Sequence, residues 1–159
     1  MQKILVSSCL LGRPVRYDGG ALGPYSLLQQ WQAQGRVVAL CPEVSGGLPT
    51  PRPPAEIPGG QGAAVLEGRV PVVDVDGRDV SAAFLAGAAA AVELASRHGI
   101  RFAVLKARSP SCGNQETYDG SFSGNRVAGE GVAAAALRRC GVQVFNENEL
   151  ELLATLLTD

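Results

Sequence analysis

Four short apolar runs, separated by stretches of helical character, constrain this chain more than any other feature. The runs are Lys3–Ser8, Arg36–Leu40, Arg101–Lys106 and Val142–Phe145. Each is too short for a buried helix and suits a pleated strand. Between them lie helical patterns at Tyr25–Gln34, Ser81–His98 and Gly131–Cys140, each followed by a glycine (Gly35, Gly99, Gly141) able to end a helix. Asp79 or Ser81 can cap the longest of these. A last helix, Glu149–Leu157, carries the stripe Leu150, Leu153 and Leu157 after a cap at Asn146 or Asn148. Strands alternating with helices predict an α/β fold: a mostly parallel sheet covered on both faces. Right-handed crossovers leave few topologies, and 159 residues suit one three-layer domain, residues 1–159, Rossmann-like or flavodoxin-like.

Two long segments interrupt this pattern. Cys41–Gly60 holds six prolines between Pro42 and Gly59, which argues against regular helix and central strand. Ala107–Gly129 follows the third strand. Between the two, Val70–Val75 looks extended and ends in the turn signal Asp76-Gly77. Loops this long inside a small domain are usually functional.

The cysteines fall in register with the strands. Cys9 follows the first, Cys41 the second, and Cys112 lies in the loop after the third. In a parallel sheet those positions share the carboxyl edge, where open α/β sheets bind ligands. Three thiols far apart in sequence therefore converge. Cys140 ends a helix that runs back to the opposite edge, and is expected to be a small buried hydrophobe.

A disulfide would use two of the three thiols and strand the third. Zinc wants four ligands, or three and water, and the lone His98 lies at the wrong edge. Soft thiolates also select iron–sulfur clusters, and three ligands would leave one iron open, as catalytic metal sites require. Iron–sulfur is favoured over zinc on this chemistry, with zinc still open. Composition excludes other classes. The net charge of −1 offers no basic footprint for nucleic acid. No apolar run reaches the length of a membrane span, and the start enters a strand pattern without a signal-peptide layout, so a cytoplasmic location with reduced thiols is expected.

Several segments together resemble a known family. They are Ser7-Ser8-Cys9-Leu10-Leu11-Gly12, Arg16-Tyr17-Asp18-Gly19, Cys41-Pro42-Glu43-Val44-Ser45-Gly46-Gly47-Leu48, Thr50-Pro51-Arg52-Pro53-Pro54-Ala55-Glu56, Ser109-Pro110-Ser111-Cys112-Gly113 and Tyr118-Asp119-Gly120-Ser121-Phe122. The pattern, spanning about residues 3–145, resembles the thiouracil desulfurase-like family of small bacterial iron–sulfur proteins. The resemblance implies a 4Fe–4S cluster on Cys9, Cys41 and Cys112 with one iron free, and a small thiolated pyrimidine as substrate. It also implies a catalytic glutamate and serine: Glu43, with Ser109 first and Ser111 in reserve. It implies conversion of C=S to C=O with release of sulfide; because water and sulfide balance that conversion, no net redox change is expected.

Neighbouring residues have plainer readings. Arg52 and Glu56 can pair with each other to stiffen their loop. Lys106 can offset cluster charge or sit as a surface lysine. Asp18-Gly19-Gly20 and Asp119-Gly120 read as turns. A thiol phosphatase would need an arginine six positions after Cys9, where Val15 stands, and Pro14 removes an amide donor from that loop. The other reading kept open is a cluster-bearing electron carrier or redox sensor without catalytic chemistry.

Overall fold

A computed structural model of the chain describes residues 1–158. Its centre is a four-stranded, all-parallel sheet built from β1 (Ile4–Ser7), β2 (Val37–Leu40), β5 (Phe102–Val104) and β8 (Gln143–Phe145), in the order β2-β1-β5-β8. The register runs Ile4 to Val37 on one side of β1 and Ile4 to Phe102 on the other. From β1 the chain steps to β2, then returns across β1 to β5. Strand order thus reverses between β1 and β5, and the crevice at their carboxyl ends is the expected ligand position.

Alternation along each strand splits the core into two layers. Ile4, Val6, Phe102, Val104 and Phe145 pack against Leu28 and Trp31 of α1 (Ser26–Ala33) and Leu150 and Leu153 of α6 (Leu150–Leu156). Leu5, Ala103 and Val144 face the other way. They pack on Phe84, Ala88 and Ala91 of α4 (Ser81–His98), Val132–Ala134 and Leu137 of α5 (Val132–Arg139), and Val65 of α3 (Gly62–Leu66). The helix at 81–98 has its expected bounds and ends on left-handed Gly99, φ +62°. Its N-cap is Val80, so neither Asp79 nor Ser81 caps it with a side chain; the Asp79 carboxylate instead accepts the Ser81 N–H at 2.9 Å in a turn just ahead of the helix.

The two long segments are more ordered than their prolines suggest. The first opens with a short helix, α2 (Pro42–Ser45), because proline at the first helical position loses only an N–H that had no partner anyway. It goes on to β3 (Ala55–Glu56), which pairs antiparallel with β4 (Val73–Asp74). The stretch expected to be extended over 70–75 is therefore only a two-residue strand. The second segment contains an antiparallel hairpin, β6 (Glu116–Tyr118) with β7 (Arg126–Ala128). Cys140 departs from expectation as well: it is exposed, because it caps the C-terminus of α5 beyond that helix's buried face.

α2 is held tightly against α4. A methyl group at Gly87 would lie 2.0 Å from the Pro42 carbonyl oxygen, and one at Gly46 would lie 1.9 Å from the Ala83 carbonyl oxygen. Two glycines thus allow the backbones to touch, which fixes the segment that carries Cys41 and Glu43.

Candidate active site

Three loops at the carboxyl edge of the sheet bound one cavity of about 650 Å³. Each brings a cysteine by a different local device. Cys9 sits in a 3-10 turn, Ser8–Leu11, that follows β1 directly, and its carbonyl oxygen accepts the Leu22 N–H at 3.1 Å. Cys41 is the residue before α2, in extended conformation, with its carbonyl bonded to the Ser45 N–H. Cys112 lies in a loop that caps α5. The carbonyls of Pro110 and Ser111 accept the N–H groups of Val132 and Ala133 at 2.8 Å, taking up donors that a helix start leaves free.

All three line the cavity, and all three are free thiols. Cys9 and Cys112 are buried and Cys41 is half-buried. Burial, then the nearby Cys112 and Cys41 sulfurs, push the Cys9 thiol up to about 12; Arg16 and Lys106 act in the opposite direction. Burial pushes Cys112 up to about 11, against hydrogen bonds from Ser7 and Ser111 and with Glu43 and Cys41 adding to the rise. The Ser7 hydroxyl donates to the Cys112 sulfur at 3.4 Å and the Ser111 hydroxyl lies 3.5 Å from it. Hydroxyls aimed at a sulfur favour its anionic, ligating form. Among the described residues, no group of three or more His, Cys, Asp or Glu side chains is drawn close enough to hold a single metal ion.

Glu43 follows Cys41 on α2 and reaches the Cys112 loop. The Ser111 hydroxyl donates to Glu43 Oε2 at 2.8 Å. Ser109 Oγ is 3.2 Å from Ser111 Oγ and accepts the Cys112 N–H at 2.7 Å. Glu43, Ser111 and Ser109 thus form one hydrogen-bonded row along the cavity wall, with Ser111 in direct contact with the carboxylate.

Arg52 does not pair with Glu56. Its Nε lies 2.9 Å from Glu43 Oε1, and its other nitrogens donate to the carbonyls of Pro49 and Val15 and to the Thr50 hydroxyl. Glu56 instead accepts the backbone N–H groups of Gly120 and Phe122, across 64 and 66 residues of chain. No local signal could have announced either partner. Lys106 lines the cavity and pairs with Glu147 at 2.8 Å. Asp18 and Asp119 serve turns, accepting the N–H groups of Gly20 and Ser121. Ser7 and Glu147 escape the sequence reading. Ser7 is a buried hydroxyl ending a core strand, which is a usable signal; Glu147 carries none.

A family model described as 2-thiouracil desulfurase matches residues 4–149. An uncharacterized protein, YbbK of Bacillus subtilis (strain 168), is 43% identical over 147 residues, covering 92% of this chain and 97% of its own. A solved structure of a 4Fe–4S-dependent thiouracil desulfidase, TudS, is 49% identical and superposes with a TM-score of 0.88, covering 99% of this chain and 100% of that one.

Proposed function

The chain belongs to the 2-thiouracil desulfurase family, and on that premise we propose that it converts the C=S group of a thiolated pyrimidine such as 2-thiouracil to C=O, using a 4Fe–4S cluster held by Cys9, Cys41 and Cys112. The observation that carries this reading is the sharing of one cavity by three free thiols and a hydrogen-bonded carboxylate–serine row. The donor chemistry fits such a cluster: soft sulfur ligands, two of them buried, one already accepting the Ser7 hydroxyl hydrogen bond. The cluster supplies, when bound, a Lewis-acidic iron without a cysteine ligand, soft enough to favour a thiocarbonyl sulfur.

The chain's own residues do the proton work. Glu43 takes a proton from water that attacks the substrate carbon. Its two oxygens are engaged by Arg52 and Ser111, yet each retains a second lone pair for that proton. Arg52 fixes the carboxylate's direction. Ser111 holds its other oxygen, and Ser109 extends the row as a hydrogen-bond partner for the ring or a proton relay. The new C–O bond replaces the C–S bond, and sulfur leaves as sulfide. Thiouracil plus water gives uracil plus hydrogen sulfide, so no electron donor enters the balance and the cleavage is hydrolytic. An electron carrier or redox sensor would need no hydrogen-bonded carboxylate–serine row beside its cysteines.

The test is anaerobic reconstitution with iron and sulfide, both counted per chain, followed by incubation with 2-thiouracil. Uracil and sulfide should appear in equal amounts without a reductant. Turnover that depends on added reductant would overturn the hydrolytic reading, and a loaded protein that leaves 2-thiouracil untouched would overturn the substrate.

A further inference from the structure

Arg108 and Phe122 are the non-glycine residues with positive φ among those described, at +69° and +56°. Both line the cavity that Cys9, Cys41 and Cys112 share. A bulky side chain in the left-handed region is a genuine outlier, kept only where the surroundings over-determine it. For Phe122 the surroundings are plain. Phe122 lies in the turn joining β6 to β7, where Glu56 Oε1 accepts the Gly120 N–H at 2.9 Å and the Phe122 N–H at 3.2 Å. The Gly59 N–H donates to the Asp119 carbonyl at 2.9 Å, a second tie between the same two segments.

Glycine would adopt this φ without strain, and the same turn uses glycine at positions 120 and 124, both with positive φ. The one thing that phenylalanine adds at position 122 is its ring. That ring belongs to neither packed face of the sheet. It is half-buried and forms cavity wall. A flat heteroaromatic substrate is best held by an aromatic face, since stacking needs no hydrogen-bond partner and orients the ring plane.

We propose that Phe122 is a specificity-determining residue whose ring lies against the face of the thiolated pyrimidine, and that Glu56 is a positioning residue that holds it there. This inference rests on the desulfuration reading for its substrate, but not for its test. Glu56 acts only through the backbone it binds, so a glutamine, which keeps an acceptor oxygen, replaces it in this role and an alanine does not.

The experiment compares holoenzyme carrying Phe122→Gly, Phe122→Leu or Phe122→Tyr with the unaltered protein. Three quantities are read: Tm, uracil affinity by calorimetry, and KM for 2-thiouracil. Phe122→Gly removes the left-handed penalty, so its Tm should equal or exceed that of the unaltered chain. Its uracil affinity should nonetheless fall about tenfold or more, with a matching rise in KM, on the scale of one aromatic stack. Phe122→Leu should lie between, and Phe122→Tyr should retain most of the affinity. Glu56→Ala should weaken uracil binding as Phe122→Gly does, and Glu56→Gln should restore it. Uracil affinity that simply tracks Tm, or is unchanged in Phe122→Gly, would overturn the proposal. If unaltered holoenzyme binds uracil and Phe122→Gly does not, yet neither turns over 2-thiouracil, stacking stands and desulfuration falls. If turnover proceeds with the same KM in both, desulfuration stands and stacking falls. Binding of neither compound by the unaltered holoenzyme would overturn both.

Discussion

Arg52 Nε and Glu43 Oε1 meet at 2.9 Å, with side chains only 4% and 14% exposed. The pair joins the middle of the Pro-rich segment to the helix after Cys41, and so sets the direction of the carboxylate beside the thiols. Removing one partner from a pair this buried leaves the other charge without its counter-ion and costs far more than a surface ion pair is worth. Arg52→Ala is expected to lose about 3 kcal/mol of stability in urea unfolding. Arg52→Lys should lose less but still slow desulfuration, because an ammonium cannot reach the carbonyls of Pro49 and Val15 and the carboxylate together. Unfolding midpoints that match the unaltered chain would remove Arg52 from this role.

Iron loading separates the four cysteines. Cys9→Ser, Cys41→Ser and Cys112→Ser should each lower iron and sulfide per chain after anaerobic reconstitution. Cys140→Ser should leave both unchanged, since that residue is exposed and does not line the cavity. Equal losses from all four would point to a fully ligated cluster and to electron transfer.

Glu43→Gln keeps the shape of the side chain and removes the base. With cluster content held equal, its rate of uracil formation should fall about 10²–10⁴-fold. Ser111→Ala deletes the hydroxyl that bonds Glu43 Oε2, so it should lower kcat. Ser109→Ala deletes the acceptor of the Cys112 N–H and should in addition destabilise the cysteine loop by about 1–3 kcal/mol. A full-rate Glu43→Gln protein would remove the general base from the mechanism.

Thiol labelling of cluster-free protein distinguishes exposed from buried sulfur. Alkylation proceeds through the thiolate. Burial and neighbouring sulfurs raise the Cys9 and Cys112 thiols to about 12 and about 11, so both stay protonated at pH 8 and react more readily only as pH rises. Cys140 is expected to be modified first, as read by peptide mass spectrometry after brief iodoacetamide treatment at pH 8. Labelling of Cys9 ahead of Cys140 would contradict the burial described.

Gly87 lies inside α4, where alanine is about 1 kcal/mol better for an isolated helix. Gly87→Ala should nevertheless destabilise, because its methyl group would lie 2.0 Å from the Pro42 carbonyl oxygen. The displaced element carries Glu43, so desulfuration should fall with stability. A stabilised Gly87→Ala protein would mean that α2 can shift at no cost.

The chain's local patterns determined a good deal by themselves. Apolar runs too short for helices gave the parallel strands, and Gly99 set the end of α4, because strand and helix periods and left-handed stops are properties of a few adjacent residues. Placing Cys9, Cys41 and Cys112 after successive parallel strands was enough to put them at one edge. Tertiary structure decided the rest. The partner of Glu56 and the two-residue ladder of β3 and β4 depend on contacts between segments far apart in the chain, and Arg52 meets Glu43 only because the Pro-rich segment folds back on itself. Cys140 is exposed because its helix ends just short of burying it, a matter of one position on a helix face. Such contacts form only when loops are already packed against a common scaffold, and a one-dimensional pattern carries no signal for which loop tip will meet which carboxylate.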